Sequence, residues 1–114
     1  MTRSIRLLLV LSALVDAAPA QAQETVDQAR GLALARQVCA DCHAIQDHAL
    51  RSPNPKAPTF SDISRTPGMT ETALTVALTT PHAGMPMFRL SAGQQASLIA
   101  YILSLRDSGP TPGR

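Results

Sequence analysis

Cys39-Ala40-Asp41-Cys42-His43, a C-x-x-C-H sequence, places the strongest constraint on the structure of this chain. Two cysteines three residues apart lie on one face of a helical turn, where both thiols can reach neighbouring vinyl groups of a porphyrin. The histidine that follows can bind the iron through a ring nitrogen. The pattern therefore predicts one covalent haem c, with Cys39 and Cys42 as the thioether residues and His43 as the proximal iron ligand.

Other uses of paired cysteines fit this sequence less well. A thioredoxin-like dithiol belongs in a βαβ context, which the sequence lacks. A structural zinc site needs a second ligand pair, and His48 and His82 are too far apart to form one. A disulfide between Cys39 and Cys42 would close a very small loop. Haem attachment is the favoured interpretation, and the other three stay open as alternatives.

The segments around the motif predict helices joined by irregular loops. Apolar and small residues at helical spacing predict an amphipathic helix over residues 25–38, and they are Gly31, Leu34, Ala35 and Val38. Residues 46–58 are polar and rich in proline, which predicts a loop. Phe60 and Ile63 fit one short turn of helix after that loop.

Two further helices are marked by capping residues. Thr70 can cap a helix that ends at Thr79 before Pro81, with a predicted buried stripe of Leu74, Ala77 and Leu78. Ser91 and Gln94 match a capping box that begins the last helix, which is expected to reach Arg106 and stop at Gly109-Pro110. Its predicted buried stripe is Leu98, Tyr101, Ile102 and Leu105. No segment alternates with a period of two, so the fold class is all-α.

The loop between these two helices supplies the best candidates for the sixth iron ligand. It spans residues 81–90 and contains Met85, which is followed by Pro86, as well as Met87 and His82. Met85 is the first choice and Met87 the second. The remaining candidates are His48, His82 and Met69, for which surface, hydrogen-bonding or packing roles are favoured.

The first 22 residues resemble a segment that is removed on export. Arg3 and Arg6 precede a short apolar run, and Ala20-Gln21-Ala22 fits a cleavage site. The predicted organisation is a signal peptide (1–22), one domain (23–108) and a flexible tail (109–114). The run is too short to span a bilayer, so the exported protein is expected in the periplasm without stable membrane insertion.

Composition indicates that side chains alone make a thin core. The chain has no tryptophan, and its aromatic residues are Phe60, Phe88 and Tyr101. A domain this small buries a modest share of its surface, so a bound group is expected to complete the interior. The formal charge of the whole chain is +2, and it falls to near +1 without residues 1–22. The sequence has no basic stretch of the kind that binds nucleic acid, so a nucleic-acid partner is not expected.

These residues resemble class I c-type cytochromes, the small bacterial monohaem family, over the whole of the exported chain. Gly31 and Ala35 match the small residues with which that family's N-terminal helix crosses the C-terminal helix, and Tyr101 matches its aromatic crossing position. Pro58 resembles the proline whose carbonyl accepts the ring N–H of the proximal histidine, although Pro55 lies close by. Met85-Pro86 resembles the axial methionine motif.

The resemblance implies three to four helices wrapped around one haem, with the first and last helices crossing. It also implies a periplasmic single-electron carrier rather than an enzyme. Its donor and acceptor would be redox proteins such as a dehydrogenase, an oxidase or a cytochrome complex, and it would act as a monomer or as a subunit of such a complex. The alternatives are a haem subunit of a larger oxidoreductase and a haem enzyme or gas sensor with an open sixth site.

Overall fold

The chain is all-helical in a computed structural model, which describes residues 19–108. Within these residues the four helices are α1 (Pro19–Val38), α2 (Phe60–Arg65), α3 (Glu71–Thr79) and α4 (Ala92–Ser104). No strand occurs within residues 19–108, which confirms the predicted all-α class. Most of the predicted signal segment and all of the predicted tail lie outside these residues, so the domain boundaries stay predictions.

Helix α1 begins at Pro19, six residues earlier than the residue pattern indicates. Residues 20–26 are exposed, so burial does not explain this additional helix. The cause is local: proline is favoured in the first turn, and alanine, glutamine and glutamate are strong helix formers. Side chains one turn apart add support, as Gln23 Nε2 donates to Asp27 Oδ1 at 3.1 Å.

Threonine side chains start the two short helices. Thr59 Oγ1 accepts the backbone N–H of Asp62 at 3.0 Å at the start of α2. Thr70 Oγ1 accepts that of Ala73 at 3.1 Å at the start of α3, as predicted. One part of the α3 prediction is wrong: Leu74 is buried but Ala77 is exposed. The reason is that Ala77 lies on the wall of a cavity and is not packed against α4, which is the only described helix that α3 contacts.

The capping box of α4 forms as predicted. Ser91 Oγ accepts from Gln94 N at 3.2 Å, and Gln94 Oε1 accepts from Ser91 N at 2.9 Å. The four residues of its predicted stripe are all buried. The helix ends at Ser104, however, so Arg106 does not lie in its last turn. Arg106 instead donates to the carbonyls of Ser64 and Met69, at 2.9 and 2.7 Å, and these bonds stabilise a turn outside the helix.

Helices α1 and α4 approach each other closely at Gly31. A Cβ atom at Gly31 would overlap the carbonyl oxygen of Ser97 and would lie 2.7 Å from Tyr101 Cβ. Ala35, one turn later in α1, is completely buried. The Tyr101 hydroxyl also donates to the carbonyl of Ile45 at 2.7 Å. These contacts fix the end of α1, and with it the start of the C-x-x-C-H motif, against the last helix.

Candidate functional site

The C-x-x-C-H motif continues the end of α1 as one further helical turn. Cys39 N donates to Ala35 O at 2.9 Å, and His43 N donates to Cys39 O at 2.9 Å. Cys39 is buried and Cys42 is half-buried, and both are free thiols. Both also line the same cavity. The turn thus presents two thiols to one internal space, as the spacing predicts.

Burial controls the acid-base chemistry of Cys39. Loss of solvent raises the pKa of the Cys39 thiol to about 11, because a thiolate is poorly stabilised in apolar surroundings. Dithiol exchange needs a thiolate in an electropositive and accessible site. The environment of Cys39 has the opposite character, so it disfavours dithiol exchange through this thiol.

The ring of His43 is held by a single strong hydrogen bond. Its Nδ1 lies 2.7 Å from the carbonyl oxygen of Pro58, the pair that the resemblance implies. A carbonyl oxygen can only accept, so Nδ1 carries the hydrogen and the neutral ring keeps a lone pair on Nε2. Asn54 N bonds to Cys42 O at 3.1 Å and Phe60 N to Ala44 O at 2.9 Å, which tie the proline loop to the motif. His43 therefore has the tautomer and the fixed orientation of a metal ligand.

A cavity of about 490 Å³ adjoins the motif. This volume lies in the range of cofactor pockets, roughly 300–1,000 Å³. Its wall is mainly apolar and includes Phe60, Ile63, Leu74, Phe88, Leu98 and Ile102. Asn54 and Lys56 add polar groups that sequence reasoning missed, because a proline-rich loop gives no periodicity from which to assign a facing side. The size, the apolar wall and the donor atoms fit one haem.

The structure separates the candidates for the sixth ligand. Met85 lines the cavity, and so do Met69 and His82. Met87 does not line it: its side chain is 51% exposed and borders a crevice of about 10 Å³ next to the cavity. His48 is also absent from the cavity wall, and its Nε2 lies 3.0 Å from Asp47 Oδ2. The arrangement favours Met85 over Met87.

Asp47 connects the segment after the motif to α2 and to the end of α4. Its Oδ1 accepts from His48 N at 2.9 Å, from Ser61 Oγ at 3.3 Å and from Arg65 Nη2 at 3.4 Å. Arg65 Nη2 donates as well to the carbonyl of Leu105 at 3.1 Å. Sequence reasoning missed this cluster, because Asp47 and Arg65 are 18 residues apart and follow no motif.

The cluster predicts a loss of stability in acid. Partial desolvation acts to raise the pKa of Asp47, but the backbone N–H and charge of His48 and the bonds from Arg65 and Ser61 together hold it below the ordinary 3.8. A carboxyl whose pKa is lowered by folding stabilises the protein above its unfolded pKa, and this contribution is lost as pH falls through the folded pKa. We expect the free energy of unfolding, measured in urea, to fall as pH drops below about 4.

Asp47→Asn tests this contribution directly. The variant should be less stable than the wild type at neutral pH and should lose less stability on acidification. Asp62→Asn is the matched control, because Asp62 is an exposed carboxylate of α2 with no side-chain hydrogen bond among the described residues. An Asp47→Asn profile parallel to that of the wild type would contradict the prediction.

Comparison with protein-family models, curated proteins and solved structures returned no match for this chain. Among residues 19–108, no helix combines the length and hydropathy that crossing a bilayer requires. The same part of the chain does not gather three or more His, Cys, Asp or Glu side chains into a cluster that could hold a metal ion. The functional inference therefore depends on the cavity and its donor atoms.

Proposed function

We propose that this protein is a periplasmic single-electron carrier with one covalently bound haem c. One observation carries the proposal: Cys39, Cys42, His43 and Met85 all line the same cavity of about 490 Å³. Two thiols, an imidazole and a thioether are the groups needed to attach haem c and to supply both axial ligands.

Each of these side chains has a distinct role in the proposal. Cys39 and Cys42 would form the thioether bonds, and His43 would donate Nε2 to the iron. The bond from His43 Nδ1 to Pro58 O orients the ring and raises its donor strength. Haem c, when bound, supplies a centre that gains and loses one electron.

Met85 determines which class of function is proposed. His43 and Met85 together would supply two strong protein ligands to the iron and would leave no coordination position open, which suits electron transfer rather than ligand activation. Thioether ligation and burial favour the reduced state and raise the reduction potential. An open sixth site would instead favour the enzyme or sensor alternative.

The packing of α1 on α4 supports a class I cytochrome c fold. Gly31 allows backbone contact with Ser97 and places the Tyr101 side chain against α1, as the resemblance implies. Ala35, Leu98 and Cys39 are buried in the same hydrophobic core cluster. The fold would thereby hold α1 and α4 around the haem cavity.

The proposed partners are redox proteins of the periplasm. The export pattern of residues 1–22 supports this compartment, and a charge near +1 on the exported chain favours neither sign of partner. Pro86 and Met87 are exposed directly beside Met85, so they would lie in the contact with a donor or acceptor. Such electron-transfer contacts are small and brief.

Methionine variants test the proposed iron ligands. The wild type, exported by a host with haem-attachment machinery, should show the weak far-red band of sulfur bound to ferric iron. Met85→Ala should abolish this band, whereas Met87→Ala, the matched control two residues away, should retain it. The band is read from optical spectra of the oxidised protein, and the reduced protein is tested for carbon monoxide binding.

Two results would contradict the proposal. A wild type that lacks the far-red band and binds carbon monoxide readily would have an open site. A protein exported by the same host without covalent haem would remove the cofactor altogether. Co-purification of an untagged partner would identify a complex subunit rather than a free carrier.

A further inference from the structure

His82 holds a second donor atom directly beside Met85. Its Nε2 lies 3.0 Å from Met85 Sδ, and both residues line the cavity. The other ring nitrogen, Nδ1, lies 3.1 Å from the carbonyl oxygen of Thr80. The ring is therefore held at one nitrogen by the backbone and faces the methionine sulfur with the other.

The hydrogen bond to Thr80 fixes what Nε2 can do. The carbonyl oxygen of Thr80 and the sulfur of Met85 can both only accept, so the neutral ring can donate to one of them. The carbonyl is the stronger acceptor, which favours the hydrogen on Nδ1 and a lone pair on Nε2. A thioether sulfur has no hydrogen to donate. In the neutral ring, no hydrogen lies between Nε2 and Sδ, so two Lewis bases occupy the same small region of the cavity wall.

The arrangement of His82 repeats that of His43. In both residues Nδ1 lies within hydrogen-bond distance of a backbone carbonyl, that of Pro58 for His43 and that of Thr80 for His82. Both rings also line the cavity. A backbone carbonyl on one ring nitrogen is the usual support of a histidine that binds metal through the other. His48, whose Nε2 faces Asp47 Oδ2 and which is absent from the cavity wall, lacks this arrangement.

The turn between His82 and Met85 has open space around Gly84. Met85 N bonds to His82 O at 3.3 Å, which closes the turn. Gly84 has a φ of +81°, and nothing lies within 4 Å of the position that its Cβ would take. Residues 82–84 are exposed, and none of them belongs to the hydrophobic core cluster.

We propose that His82 is a reserve axial ligand, which binds the haem iron through Nε2 when the Met85 sulfur is not available. This inference rests on the proposed function, because it concerns the same sixth position. The step would be an exchange of Lewis bases: a bond from iron to the Met85 sulfur would be replaced by one to His82 Nε2, with no net electron or proton transfer. Loss of Met85 would then give a bis-imidazole haem rather than an open site.

Holoprotein variants separate the two ligands. Met85→Ala should lose the far-red band yet remain low-spin, with the electron paramagnetic resonance signature of two imidazoles. Met85→Ala/His82→Ala should become high-spin and, when reduced, bind carbon monoxide at least tenfold faster than Met85→Ala. Two control double variants, which combine Met85→Ala with His48→Ala or with Met87→Ala, should both remain low-spin.

One outcome of the single variant is enough to reject the role of His82. A high-spin Met85→Ala protein, or one that binds carbon monoxide as fast as the double variant, would overturn the role of His82. Added imidazole should restore the low-spin state of the double variant, which shows that its cavity is intact. A wild type without the far-red band would instead overturn the proposed function, so the two failures are distinct.

Discussion

Gly31→Ala should lower the free energy of unfolding by about 3 kcal/mol or more, at the upper end of the overpacking range. The added Cβ would overlap the carbonyl oxygen of Ser97 and lie 2.7 Å from Tyr101 Cβ. Neither atom belongs to the mobile end of a side chain, so α1 and α4 must move apart to make room. That movement would also shift Cys39, which is the first residue after α1.

Gly93→Ala provides the matched control for this prediction. Gly93 lies in the first turn of α4, and nothing is within 4 Å of its Cβ position. The same substitution should there be neutral or should stabilise the protein by roughly 0.5–1 kcal/mol, because alanine restricts the unfolded chain. The free energies of unfolding of the two holoprotein variants are measured in urea and compared. Equal effects at the two positions would contradict the close approach at Gly31.

Local chemistry in the sequence predicted the all-α class, two helix starts and one buried helix face correctly. Thr70 and the Ser91–Gln94 pair predicted two helix starts, because a cap depends on residues only three positions apart. The apolar stripe of α4 predicted its buried face, because residues three or four positions apart lie on the same side of a helix. The C-x-x-C-H spacing likewise placed both thiols on one turn.

Features set by tertiary contacts could not be predicted in this way. Arg106 looks like a last-turn helix residue, but its bonds to Ser64 and Met69 lie about 40 residues away in sequence. Met85 lines the cavity and Met87 does not, although both lie in the same irregular loop. Such a loop has no hydrophobic periodicity from which the sequence could predict which side chain faces inward. The contact of His82 Nδ1 with the carbonyl of Thr80 joins residues only two positions apart. The role proposed for His82 depends on the cavity beside it, which the sequence does not show.

Removal of both thioether bonds should abolish cooperative folding. A fully enclosed void of 490 Å³ would cost ~12 kcal/mol at about 24 cal/mol per Å³, which is an upper limit for a cavity that opens to solvent. Small domains have a free energy of unfolding of about 5–15 kcal/mol, so the cost of the unfilled cavity would offset most of it. Cys39→Ala/Cys42→Ala should therefore lack a sharp thermal transition and should be cleaved rapidly by protease.

The wild-type chain produced without haem-attachment machinery separates the loss of haem from the loss of the thiols. If the haem completes the core, this apoprotein should behave like Cys39→Ala/Cys42→Ala, while the holoprotein unfolds in one cooperative step by circular dichroism. A compact, cooperative apoprotein would show that the core packs without the cofactor. The few aromatic residues of the chain argue against that result, because Phe60, Phe88 and Tyr101 are too few to fill the interior, and Phe60 and Phe88 already line the cavity.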